Sequence, residues 1–212
     1  LATTMAKAGW NVLLLERQAQ FEDRVRGEWI APWGVAEVKR LGLYDLLMGA
    51  GGHHITSHVT YDESLSPDFC EQHAAPLGIL PEIPGPLCIG HPHHCETLIN
   101  EARRFGADVR RPVVIEDITL GTAPSVTFTQ DGERITATAP MIVGAEGRQS
   151  EVRAKAGVTL HQDKPHHWFA GLLVDGVEGI DATRQTIGTE ERFGFLTFPQ
   201  GGARVRVYGG YA

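Results

Sequence analysis

Apolar residues in this chain fall into two kinds of run, continuous ones near the N-terminus and alternating ones toward the C-terminus, and the two kinds predict different architecture. Residues 2–8, Ala-Thr-Thr-Met-Ala-Lys-Ala, join small side chains to good helix formers and predict a helix packed closely on a sheet, ended by Gly9. Residues 11–17, Asn-Val-Leu-Leu-Leu-Glu-Arg, are too short for a helix and predict a parallel strand covered on both faces. Helix, glycine turn, strand and terminal acid form the second half of a βαβ dinucleotide unit. In that unit a ribose-binding acid trails the phosphate-binding glycines by about 20 residues, so Glu16 places them immediately before Leu1. The chain accordingly opens inside a helix, without an initiator Met.

Residues 33–48 repeat apolar positions at helical spacing, with Gly42 dividing them into two short helices. Residues 55–61 alternate like a strand, residues 64–87 are rich in Pro and Gly and predict a loop with short extended pieces, and residues 94–105 predict a helix ending at Gly106. From Val113 the pattern changes to strands over 113–120, 125–130 and 134–139, with Asp131-Gly132 a hairpin signal. This meander is expected to lead directly into a buried strand at 141–143. Alternating segments at 168–174, 184–189, 194–198 and 204–208 predict an antiparallel sheet, with Trp168, Phe169, Phe193, Phe195, Phe198 and Tyr208 mostly in its core. One face of that sheet is left to line an apolar substrate pocket.

Residues 141–153, Met-Ile-Val-Gly-Ala-Glu-Gly-Arg-Gln-Ser-Glu-Val-Arg, carry the most chemistry. An apolar strand runs into a small-residue turn bearing Glu146, then into a helix with Arg on its first turns. That brings a carboxylate and backbone N–H groups to one sheet edge, where ribose and phosphates can be held. Glu146 has a plainer role open to it as well, because acids favour helix N-termini electrostatically, and the two roles are compatible.

Composition narrows the partners. With 212 residues the chain can bury a real core. A formal net charge of -7 argues against a nucleic-acid ligand. Cys70, Cys88 and Cys95 are odd in number and hold no CxxC pair, which makes a disulfide framework a poor expectation and a reducing compartment, the cytoplasm, the default. No apolar run approaches the roughly 18 residues of a membrane span. His91, His93, His94 and Cys95 invite a metal, but adjacent residues diverge unless the backbone folds around the ion, so no metal is expected. Ser150 lacks the G-x-S-x-G spacing of a hydrolase nucleophile.

Taken together, Glu16-Arg17-Gln18, Arg24-Val-Arg26-Gly-Glu, the helix reaching Leu41-Gly-Leu43, Gly90-His91 through Leu98, and Gly144-Ala-Glu146-Gly147-Arg-Gln-Ser150 resemble FAD-dependent monooxygenases of the para-hydroxybenzoate hydroxylase type. The last of these segments is similar to that family's DG motif, with Glu146 in place of Asp and so one methylene longer. The resemblance implies an α/β fold: an incomplete Rossmann-like FAD-binding domain over residues 1–54 and 88–157, and an antiparallel β-sheet substrate domain, C-terminally truncated, over 55–87 and 158–212. The family's GxGxxG and GD motifs are absent from the sequence.

By position, the resemblance implies that Glu16 holds the adenosine ribose, Arg17 lies beside the adenine, Arg26 approaches the pyrophosphate, and Gly27, Glu146 and Gly147 lie at the cofactor. His91 stands where relatives carry Gln or Arg in contact with FAD. Glu16 read alone is also consistent with a solvated acid, and Arg26 with a surface charge. The implied activity uses NADH or NADPH and O2 to hydroxylate or epoxidise a small organic substrate, aromatic ones included, through a flavin C4a-(hydro)peroxide. No side-chain nucleophile is then needed, and no catalytic residue is assigned. The 212-residue stretch alone is expected to bind FAD poorly and to be inactive. Alternatives of the same fold are an FAD-dependent halogenase, whose Trp-x-Trp-x-Ile-Pro signature is missing here, or a reductase. A non-enzymatic truncated or degenerate relative is the alternative of another class.

Overall fold

The computed structural model describes residues 1–23 and 28–211, so Arg26 and Gly27, expected at the cofactor, lie outside the described residues. In chain order, helix α1 (Ala2–Lys7) precedes strands β1 (Leu13–Leu15) and β2 (Trp29–Ile30), helices α2 (Pro32–Arg40) and α3 (Tyr44–Gly49), and strands β3 (His53–His54) and β4 (Ser57–Asp62). Helix α4 (Pro67–Gln72), strands β5 (Ala75–Pro76) and β6 (Leu87–Cys88) and helix α5 (His91–Arg104) lead to β7 (Asp108–Arg110) and the meander β8 (Val114–Thr119), β9 (Ser125–Gln130) and β10 (Glu133–Thr138). Helix α6 (Glu151–Lys155) and strands β11 (Trp168–Val174), β12 (Arg184–Glu190), β13 (Phe193–Gly201) and β14 (Arg204–Tyr211) complete the chain.

These elements form two compact units, Leu1–Gln20 with Glu101–Lys164, and Phe21–Asn100 with Pro165–Ala212. In the first unit β1 and β7 pair in parallel, Leu13 opposite Asp108 and Leu15 opposite Arg110. Helix α1 packs through Ala6 on Ala102 and Ala107, with Val12, Phe105 and Val109 closing round them. Small side chains let these backbones approach closely, as the composition of residues 2–8 predicts. The meander has the order β10-β9-β8, with Phe128 fully buried. Asp131 and Gly132 both take positive φ, 52° and 83°, as a two-residue hairpin turn matched to strand twist requires.

The second unit holds a six-stranded sheet of order β11-β14-β13-β12-β4-β5 and a three-stranded sheet β2-β6-β3. The larger sheet is antiparallel except where β12 meets β4, a parallel pairing that places Gln185 opposite His58. Its companion core is Val35, Leu47, Ile83, Leu87 and Ile89. Gly85 permits a close crossing: a Cβ there would stand 2.0 Å from the carbonyl oxygen of Ile55.

Four local expectations are corrected. Residues 141–143 form no strand, and Met141 and Val143 are exposed, because a strand needs a partner ladder and no described strand runs beside them. Strand β1 is not covered on both faces, since Leu13 is exposed. Within the expected loop at 64–87 lies α4, started by Ser66, whose hydroxyl accepts the Phe69 amide, with Pro67 at the first helical position. Trp168, Phe169 and Phe193 are exposed rather than core, since they lie toward one end of strands β11 and β13 where the described residues place no second layer. No helix among the described residues is long and apolar enough to cross a membrane.

Candidate cofactor site

Glu16 continues the β1–β7 ladder by one residue, donating its amide to the Arg110 carbonyl at 3.0 Å and accepting the Val113 amide at 3.0 Å. The backbone is therefore held through both its amide and its carbonyl just where the strand ends, and the side chain leaves from the carboxyl end of a parallel strand. Nucleotide ligands are met at that end in sheets of this kind. One carboxylate oxygen accepts the Gln18 amide at 2.8 Å, and the other has no protein partner among the described residues. Half-buried and half-satisfied, Glu16 has an acceptor available for a ribose hydroxyl. Arg17 is exposed beside it.

The Glu146 turn takes up the plainer of the two roles its sequence left open, at the start of a helix. The Glu146 carboxylate accepts the Ser150 hydroxyl at 2.5 Å and the amides of Glu151 and Val152 at 3.2 and 3.3 Å. Ser150 in turn caps α6 by accepting the Arg153 amide at 3.1 Å. The extra methylene of Glu over Asp reaches the helix start and satisfies amides that a helix N-terminus otherwise leaves open. What stays open is Gly147, with no atom within 4 Å of the place a Cβ would occupy. A cofactor can lie against backbone there. Helix α6 is tied to β8 by Lys155 and Asp117 at 3.0 Å, and β8 follows directly on Val113, so Glu16 and the Glu146 turn are both anchored to that strand within one unit.

His91 opens α5, in the second unit, with both ring nitrogens 3.7 and 3.8 Å from Cys95 Sγ one turn later. Among the described residues no group of three or more His, Cys, Asp or Glu converges as a metal site. A shallow depression of about 300 Å³ at the tip of the meander, lined by Thr122, Ala123, Pro124, Thr138, Ala139 and Pro140, offers no charged or nucleophilic group and is not the candidate site.

Sequence reasoning missed a buried polar cluster in the second unit. The Arg206 and Glu28 side chains are 4% and 3% exposed, with Arg206 Nε 2.9 Å from Glu28 Oε1. That contact is an ion pair rather than a straight hydrogen bond, since the Nε proton finds no acceptor along its direction. Arg206 Nη2 donates to Asp23 Oδ1 at 2.5 Å, and the Tyr208 hydroxyl donates to Glu28 Oε1. Burial and the neighbouring Glu28 carboxylate raise the Tyr208 pKa and keep its hydroxyl protonated. Burial opposes charge on Arg206, but Asp23 and Glu28 outweigh it and raise its pKa. Close by, Trp29 Nε1 donates to Gln185, and Gln185 Nε2 donates to His58 Nδ1. The signal in the sequence was an arginine on the same strand phase as Tyr208, in Arg204-Val-Arg206-Val-Tyr208.

Comparison with known proteins bears on the whole chain. The model of the FAD binding domain family matches residues 1–208. Squalene monooxygenase of Rattus norvegicus is 36% identical over 62 residues, 29% of this chain and 11% of that protein. Among solved structures, a flavoprotein/dehydrogenase from Cytophaga hutchinsonii superposes with a TM-score of 0.82 at 18% identity, over 100% of this chain and 52% of its own. PqsL, a probable FAD-dependent monooxygenase from Pseudomonas aeruginosa, gives 0.80 at 16% identity, over 99% of this chain and 56% of its own. The chain thus spans about half the length of those solved chains and a smaller share of the squalene monooxygenase. With a family match covering 208 of 212 positions, the chain belongs to the FAD binding domain family.

Proposed function

We propose that this chain is the FAD-binding part of a flavoprotein monooxygenase that uses NADH or NADPH and O2 to oxygenate a small organic substrate. The observation that carries the reading is Glu16: a half-buried carboxylate at the end of a parallel strand, with one oxygen occupied by the Gln18 amide and the other without a partner among the described residues. That second oxygen binds the adenosine ribose, and Arg17 lies beside the adenine. Gly147 lends open backbone to the cofactor, while Glu146 holds the turn in shape by capping α6. The same reading assigns His91, Arg26 and Gly27 to cofactor contact.

A bound FAD would supply the redox chemistry, hydride acceptance from NAD(P)H and activation of O2, so the hard chemistry would belong to the cofactor. The protein binds, orients and excludes water, which is why no nucleophilic side chain is required. The apolar and aromatic side chains of the large sheet supply a surface suited to an organic substrate. No residue is assigned to catalysis.

The test is flavin titration of the complete protein, wild type and Glu16→Gln. Loss of the acid weakens FAD binding by about tenfold, the worth of one charge-assisted hydrogen bond, with little change in thermal stability. Equal affinity in the two proteins would sink the ribose assignment. Product analysis under O2 with NADPH, with and without halide, then separates oxygenation from halogenation.

A further inference from the structure

Strand β11 lies at one end of the six-stranded sheet, and no described strand runs along its outer side. In an antiparallel ladder alternate residues turn their N–H and C=O groups outward, so an edge of this kind is a template for one more strand. The opposite edge of the same sheet is β5, two residues long and ending in Pro76. The outer strands of the meander carry charge, Glu133 and Arg134 on β10, Glu116 and Asp117 on β8, and β8 is bulged between Ile115 and Asp117. These are the devices that keep an edge from pairing. Strand β11 has none of them. Trp168–Val174 is seven residues without charge or proline, and its register with β14 runs unbroken from Trp168 opposite Tyr211 to Val174 opposite Val205. Its side chains are open on both faces, with Leu172 71% exposed, Trp168 64% and Phe169 62%.

We propose that this edge is where a second copy of the chain docks, β11 of one copy pairing antiparallel with β11 of the other about a twofold axis at Gly171. The occupant is a strand because only a strand satisfies a whole row of outward amides and carbonyls. The order of residues along the edge selects the second copy. Pairing centred on Gly171 sets residue 168 opposite 174, 169 opposite 173 and 170 opposite 172. Trp168 then meets Val174 and Phe169 meets Leu173, a large apolar side chain against a smaller one at each step. One step further out, His167 comes opposite Asp175, an N–H donor against a carboxylate whose side chain is 70% exposed and is held within its own copy by Arg204. No like charges face each other between 167 and 175. Moving the centre by one residue either way sets Asp175 against Phe169 or Pro165, so the sequence favours one register. A paired edge of this length, about 24 Å, is a small interface, and the dimer it makes is dependent on concentration.

The test is sedimentation of the complete protein over a roughly hundredfold range of concentration, with hydrogen exchange at both ends of the range. Wild type is expected to pass from monomer to dimer, and the β11 amides to become protected only in the dimer. Leu172→Lys changes an exposed position and places a charge on the edge. It is expected to weaken association by about tenfold or more, with circular dichroism and melting at the lowest concentration as in wild type. His167→Asp sets two acids opposite each other and is expected to weaken association about fivefold, whereas His167→Lys holds or tightens it. A protein that stays monomeric throughout overturns the proposal, whether its β11 amides exchange freely or are protected by another part of the same chain. A dimer indifferent to Leu172→Lys overturns it too, as does one in which His167→Asp and His167→Lys behave alike.

Discussion

Ser150 donates its hydroxyl to Glu146 at 2.5 Å and with the same oxygen accepts the Arg153 amide at 3.1 Å, so one side chain closes the turn and starts the helix. Ser150→Ala is expected to cost about 1 kcal/mol of stability through loss of the cap. Glu146→Asp is expected to cost less, since the shorter acid keeps its charge near the helix start but gives up one or two of its contacts. Urea unfolding of the three proteins, with a larger loss for Glu146→Asp than for Ser150→Ala, would refute this order.

Gly85 and Ile55 cross so closely that a methyl group at residue 85 would meet a backbone carbonyl at 2.0 Å. A backbone atom cannot rotate away as a side chain can, so Gly85→Ala must displace the chain leading into the three-stranded and six-stranded sheets. A loss of about 2 kcal/mol or more is expected, visible as a lowered melting temperature. An unchanged melting temperature would contradict the crossing.

The three thiols are expected to differ in reactivity. Cys88 is fully buried, and burial together with nearby Glu28 pushes its pKa up to about 12, while Cys70 is buried on α4 itself. Cys95 is the partly exposed one, beside His91. A thiol reagent at neutral pH should modify one cysteine in the native protein and three in denaturant, with mass spectrometry placing the first at Cys95. Native labelling of Cys88 would show the core to be open.

Stability is expected to fall in mild acid before the carboxylates titrate. His53 Nε2 donates to the Ala182 carbonyl at 3.0 Å, which leaves a neutral ring with Nδ1 buried and unpartnered. Burial, and secondarily the adjacent His54, lowers the His53 pKa below its ordinary value, and burial does the same at His58. Between each lowered value and about 6.5 the unfolded chain holds more protons than the folded one. Stability contributed here is therefore complete above about pH 6.5 and is lost as pH falls toward the folded values. Urea midpoints should drop between about pH 7.5 and 5.5, and His53→Gln should flatten that slope. An equally steep slope in His53→Gln would remove His53 from the cause.

Much of the fold was legible because it is set by local chemistry. Asp131-Gly132 names its own turn, Gly42 divides two helices, and the alternating segments at 168–208 become β11 to β14. The Ser66-Pro67 start of α4 was equally local and was overlooked. At the candidate site, Glu16 ends a strand as its apolar run foretold, whereas the use of Glu146 as a helix cap depended on a Ser four residues on and on side-chain reach.

What the sequence by itself determined is the alphabet of elements and the acid at the end of β1, because helix, strand and turn preferences act over a few residues. Tertiary structure alone decided which faces are covered and which distant charges meet. Residues 141–143 are apolar enough for a strand and yet lack a ladder, and Arg206 reads as one more surface cation until β14 brings it to Asp23 and Glu28. Pairing and burial belong to partners far along the chain, and no local pattern encodes them.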